Sequence, residues 1–111
     1  MSKLNYGVCP ITRLLVGEVP AHRFVGTDNA LAGAGANTLG VCKHYGLDED
    51  TAVDTLGVVA VEAGAAVTEG VLVESDADGR AIDKTTGAAV ARALESATVA
   101  GEFVLCQLIP N

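Results

Sequence analysis

The chain has 111 residues, 50% of them apolar, and a formal charge of −7 from 14 acidic and 7 basic side chains. That length bounds it to one domain with a modest core, and the scattered Lys and Arg leave no basic stripe for nucleic acid. No segment approaches the ~20 consecutive apolar residues of a membrane span, and the opening MSKLNYGVCPITRLL lacks the apolar stretch of a secretory signal.

The apolar content is mostly Ala, Val and Leu, with no Trp, 2 Tyr and 2 Phe. Stability therefore rests on many small aliphatic contacts, and such a core gains from burying further surface against a partner or further copies. Cys9, Cys42 and Cys106 have no paired spacing. They read as reduced, buried thiols of a protein made in a cytoplasm.

In chain order, residues 1–13 come first. Gly7 and Pro10 break them up, and Leu4, Tyr6, Val8 and Ile11 are their apolar positions. They predict an extended arm, which either frays in solvent or docks on a neighbour. Residues 14–111 predict a single β domain, with strands at 13–19, 22–26, 38–43, 56–61, 71–74, 89–94 and 102–109. The turn-rich spacing is that of a small sandwich or barrel. LDEDTAV (47–53) predicts a helical turn capped by Asp48, and ALESATVAG (93–101) reads as helix or loop.

An internal repeat organises these strands. VPAHRFVGTD (19–28) aligns with VTEGVLVESD (67–76), NAL (29–31) with RAI (80–82), LGVCK (39–43) with VARAL (90–94), and TLGVVAV (55–61) with EFVLCQL (102–108). The expectation is a duplicated β-meander with copies at about 14–61 and 62–111. Each copy is too small to bury its apolar face alone, so the two share one barrel or sandwich core.

Several segments invite a chemical reading. VESDADGRAI (73–82) begins like a calcium loop, but with Glu74 as the first ligand the twelfth position is Thr85, and the flanks read as strands. Asp78-Gly79 predicts a hairpin turn instead. Cys42 and His44 stand two apart, a spacing open to a thiol nucleophile and its base. They have no evident orienting acid, so a buried Cys beside an exposed His is the simpler reading. His22 has no ligand-spaced partner for zinc. LAGAGANTLG (31–40) matches neither the dinucleotide nor the P-loop pattern and reads as a connector. The Val and Gly spacing of 58–73 is similar to lipoyl and biotinyl carrier domains, with Asp83-Lys84 as the only attachment candidate. These readings predict no catalytic residue, no metal and no cofactor.

Gly70 to Val73, Asp76 to Arg80, Arg92 to Glu95 and Gly101 to Val104 form a further pattern, clearest over 56–110 with an echo over 14–55. It resembles the capsid cement, or head decoration, proteins of tailed bacteriophages, with Ala91 where that family's pattern has Gly. The resemblance implies a non-enzymatic virion protein that sits on the outer capsid surface as a homotrimer and clamps major capsid protein subunits. Leu4, Tyr6, Val8 and Ile11 are the expected interface residues. A small carrier or ligand-binding barrel is the alternative.

Overall fold

The computed structural model describes the backbone of residues 6–111 and the side chains from Ile11 onward. Among the described residues there are strands and turns but no helix. In chain order these are β1 (Tyr6–Leu14), β2 (Glu18–Val19), β3 (Phe24–Gly26), β4 (Thr38–Cys42), β5 (Gly46–Leu47), β6 (Asp50–Glu62), β7 (Leu72–Ser75), β8 (Ala81–Asp83), β9 (Ala91–Ala93) and β10 (Phe103–Leu108).

β6 is the spine of the fold. Its first half is rich in β-branched Thr51, Val53 and Thr55, and pairs with β4 through Asp54 and Val53. Its second half pairs with β10 from Val58 to Glu62, while β1 runs antiparallel beside it from Asp50 to Val58. A strand has two edges. Val53 faces both Ile11 and Cys42, and Val58 faces both Tyr6 and Gln107. β1 therefore holds one edge of β6, and β4 and β10 share the other in succession.

The remaining order is β10-β9-β7-β8 on one side and β4-β3 on the other. The sheet curls until these flanks meet. The Phe24 N–H of β3 donates to Gly79 O at 2.8 Å, and the Gly35 N–H donates to Ser75 O at 2.8 Å. The result is an all-β, nearly closed barrel. Its main core gathers Phe24, Val41, Val59, Val61, Val73, Val104 and Cys106. A smaller cluster of Leu15, Val19, Val25, Cys42 and Val53 fills the end beside β1. Phe24, fully buried, is the only aromatic in either among the described residues.

Two expectations are corrected. Residues 47–53 are not a helical turn but the end of β5 and the start of β6. Pairing with β1 and β4 overrides the local capping signal there. Asp48 instead adopts φ 48° and accepts a hydrogen bond from the Gly17 N–H at 2.7 Å. The predicted strand 13–19 is broken at 15–17, between β1 and β2, where Gly17 turns the chain at φ 73°.

The duplication is visible in the hydrogen bonds. Phe24↔Val41 and Val25↔Gly40 match Leu72↔Arg92 and Val73↔Ala91. Val19↔Gly46 matches Val67↔Ala97. His22 N–H to Cys42 O matches Gly70 N–H to Ala93 O, both 2.8 Å. Lys43 N–H to Ala52 O matches Leu94 N–H to Leu105 O. The sequence alignment of 19–43 with 67–94 has this register. The last strand does not: pairing equates Asp54 with Gln107, through their shared places opposite Val41 and Arg92.

That shift gives β1 a counterpart. Leu14↔Asp50 corresponds to Glu62↔Phe103, and Leu15 N–H to Glu49 O (3.0 Å) corresponds to Ala63 N–H to Glu102 O (2.8 Å). Residues 6–14 thus stand to the first unit as the end of β6 stands to the second. β6 closes one unit and opens the next without a break.

Candidate interaction surface

Each chemically suggestive segment has a structural occupation. Asp76 Oδ1 accepts from the Asp78 and Arg80 N–H groups, both at 2.8 Å, which closes the Asp78-Gly79 hairpin turn. Gly79 supplies the φ of 73° that the turn requires. Arg80 then spans Asp76 (3.3 Å), Asp78 (3.7 Å) and Glu62 (3.6 Å), and Arg23 joins the same Glu62 at 3.3 Å. Within the acidic run, Asp76 and Asp78 are therefore paired by the run's own Arg80, which shares Glu62 with Arg23.

Glu74 points the other way. Its side chain is buried, and Oε1 accepts from the Thr85 N–H, the Thr85 hydroxyl at 3.0 Å and the Gly87 N–H at 3.3 Å. The Thr85 N–H above all holds its carboxyl below the usual value; burial opposes this, and the Thr85 hydroxyl, the Gly87 N–H and Lys84 add to it. The carboxylate pins the β8–β9 connector against the Gly-rich connector 33–37. A Cβ on Gly87 would lie 2.4 Å from the Gly35 Cα, so close backbone contact accounts for the glycines there.

The Cys42 thiol is buried and donates to the His44 backbone oxygen. Burial raises its pKa, partly offset by that hydrogen bond, so it is held as a thiol beside a carbonyl with no base on it. The His44 side chain is exposed. His22 packs its ring edge-on to Phe103 at 5.1 Å, with Nδ1 3.3 Å from Ala60 O. Asp83 accepts from the Thr68 N–H at 3.1 Å, and Lys84 lies in the β8–β9 connector with Nζ 3.4 Å from Thr85 O. The hairpin tip, where a carrier lysine would stand, is Asp78-Gly79.

Of the expected interface residues, Leu4 lies outside the described residues, as do the side chains of Tyr6 and Val8. Ile11 is on β1 and exposed. The outer edge of β1 has no strand on it among the described residues. Pro10, which has no N–H to donate, falls on this edge strand as sheet geometry demands. Sequence reasoning did not single out Leu14, Val16, Tyr45 and Leu47, which are exposed where β1, β2 and β5 converge. Only an alignment anchored on strand pairing would have marked them.

These features define a class: a small all-β barrel whose polar clusters stabilise turns and whose exposed apolar groups and open strand edge face outward. The sequence model of the phage cement protein family matches residues 9–108, and the chain belongs to that family. It is a phage structural protein associated with the capsid. No curated protein matches the sequence. The fold is similar to the N base of the head fiber gp8.5 in bacteriophage phi29, with a TM-score of 0.74 and 18% identity, covering 90% of this chain and 92% of that one.

Proposed function

We propose that this protein binds the outer surface of a phage head, as a non-enzymatic homotrimer, and stabilises contacts between major capsid protein subunits. The family match over 9–108 carries the reading. Three physical features support it. The charge of −7 suits the side of a shell away from DNA. The open edge of β1 offers backbone groups for strand addition by a neighbour, and repeated contacts around a lattice multiply through avidity. Leu4, Tyr6, Val8 and Ile11 are the proposed contacts, the last three of them on that strand.

The test is co-sedimentation with purified phage heads that lack the protein. Deleting residues 2–12 would remove most of a paired strand, so Ile11→Asp, at an exposed position, is the cleaner variant. Wild type is expected to saturate heads and Ile11→Asp to bind about tenfold more weakly. Wild type that fails to sediment with heads refutes the reading. Light scattering at assay concentration tests the trimer, and a monomeric mass would remove it.

A further inference from the structure

The two units provide an internal control for what the scaffold itself requires. The first unit exposes Leu14, Val16, Tyr45 and Leu47 at 59%, 58%, 51% and 50%. The equivalences Leu14↔Asp50 with Glu62↔Phe103, and Val19↔Gly46 with Val67↔Ala97, fix the matching positions. In the second unit they hold Glu62, Gly64, Ser96 and Thr98. The same backbone folds there with polar side chains or none, so folding does not call for the apolar set. Single exposed apolar residues need no explanation, but a group on adjoining strands does. The second unit's own exposed large apolar groups are Leu94, Val99 and Phe103, the last of which His22 packs against.

The four residues lie on adjoining segments, joined by Leu15 N–H to Glu49 O and Asp48 N–H to Gly17 O. Leu14 and Val16 flank buried Leu15, Tyr45 and Leu47 flank buried Gly46, and β2 sets Glu18 opposite Leu47. Carboxylates rim them: Glu18, Asp48, Glu49 and Asp50. Partial burial, and then the Glu18 and Glu49 carboxylates, raise the Tyr45 phenol above its usual value. Arg13, the adjoining cation, commits its Nε to Asn29 at 2.9 Å.

We infer that Leu14, Val16, Tyr45 and Leu47, ringed by these carboxylates, form a docking surface for a protein partner that presents an apolar plug flanked by Lys or Arg. A second copy docked patch to patch fits poorly, and a head-to-tail contact between copies is the outcome that the oligomeric mass reads. Patch against patch would oppose two acidic rims, and like charges across an interface are repulsive. The inference rests on the capsid-binding reading for its partner and adds a surface distinct from the edge of β1.

The test gives the first unit the second unit's residues: Val16→Gly, Tyr45→Ser and Leu47→Thr combined, assayed against the same heads. A rim variant, Glu18→Lys with Glu49→Lys, changes exposed positions only and guards against misfolding of the first. Wild-type binding is expected to weaken as salt rises from about 0.05 M to about 0.5 M. The triple variant is expected to lose at least about tenfold in affinity with unchanged oligomeric mass, and the rim variant to bind weakly with a flattened salt response. Wild-type affinity in both variants overturns the docking surface and leaves the capsid reading standing. Loss of binding together with dissociation to a smaller oligomer also overturns it, by assigning the patch to self-contact. Wild type that does not bind heads at any salt fails the capsid reading itself.

Discussion

Glu74 and Asp54 are both buried carboxylates on strands, and they are handled differently. Asp54 is 1% exposed and has Lys43 Nζ at 3.5 Å, yet among the described residues neither carboxylate oxygen takes a hydrogen bond. Its counterpart in the second unit is the exposed Gln107. Glu74 is saturated by Thr85 and Gly87, and those donors lower its pKa. A lowered folded-state value means that the unfolded chain takes up the proton first as pH falls. The stabilisation is therefore complete above the ordinary Glu value of about 4.3 and is lost as pH drops through the folded value. Chemical denaturation between about pH 6 and pH 3 should show wild type losing more stability over this range than Glu74→Gln. Parallel pH profiles for the two proteins would refute the assignment.

At the scale of elements, β6 shows how pairing overrides local signals. LDEDT carries the marks of a helix start, but Thr51 pairs with β1 and Val53 lies between β1 and β4, and two ladders outweigh one cap. The β4–β6 contact depends on one glycine. A Cβ on Gly40 would sit 2.0 Å from the Asp54 carbonyl oxygen and 3.1 Å from the Thr55 Cα, both backbone atoms. Gly40→Ala must therefore push the strands apart, and a cost of about 1–3 kcal/mol is expected in equilibrium unfolding. Gly33→Ala is the control, since nothing lies within 4 Å of its added Cβ, and it should stay within about 0.5 kcal/mol of wild type. Equal stability of the two variants would show that the strands are not in this close contact.

For the whole molecule, the barrel closes over Cys42 and Cys106, one in each cluster, while the Cys9 side chain lies outside the described residues. Cys106 is fully buried in the main core, and burial, then Glu95, pushes its pKa up to about 12. Cys42 is fully buried in the smaller one. A thiol reagent at neutral pH, with sites mapped by mass spectrometry, should label both only as fast as the barrel opens globally. Prompt labelling of Cys106 in the native protein would mean that the sheet is not closed as described.

The hairpin at Asp78-Gly79 and most strands of 22–109 were legible in the sequence, because turn chemistry and alternating aliphatics act over a few residues. The β meaning of 19–43 and 67–94 was legible too, since both copies keep the same turn spacing. The place of β1 was not. Its partners Asp50 to Val58 lie far along the chain, and no local pattern records which edge of β6 remains free for it. The apolar patch was hidden for the same reason: Leu14 and Leu47 read as ordinary strand residues until strand pairing showed which second-unit residues replace them. By itself, the sequence determined an all-β duplicated chain and its family, because both are written in turns and short-range alternation. Only the tertiary structure decided that one continuous strand ends one unit and begins the other, because register is set by hydrogen bonds between distant segments.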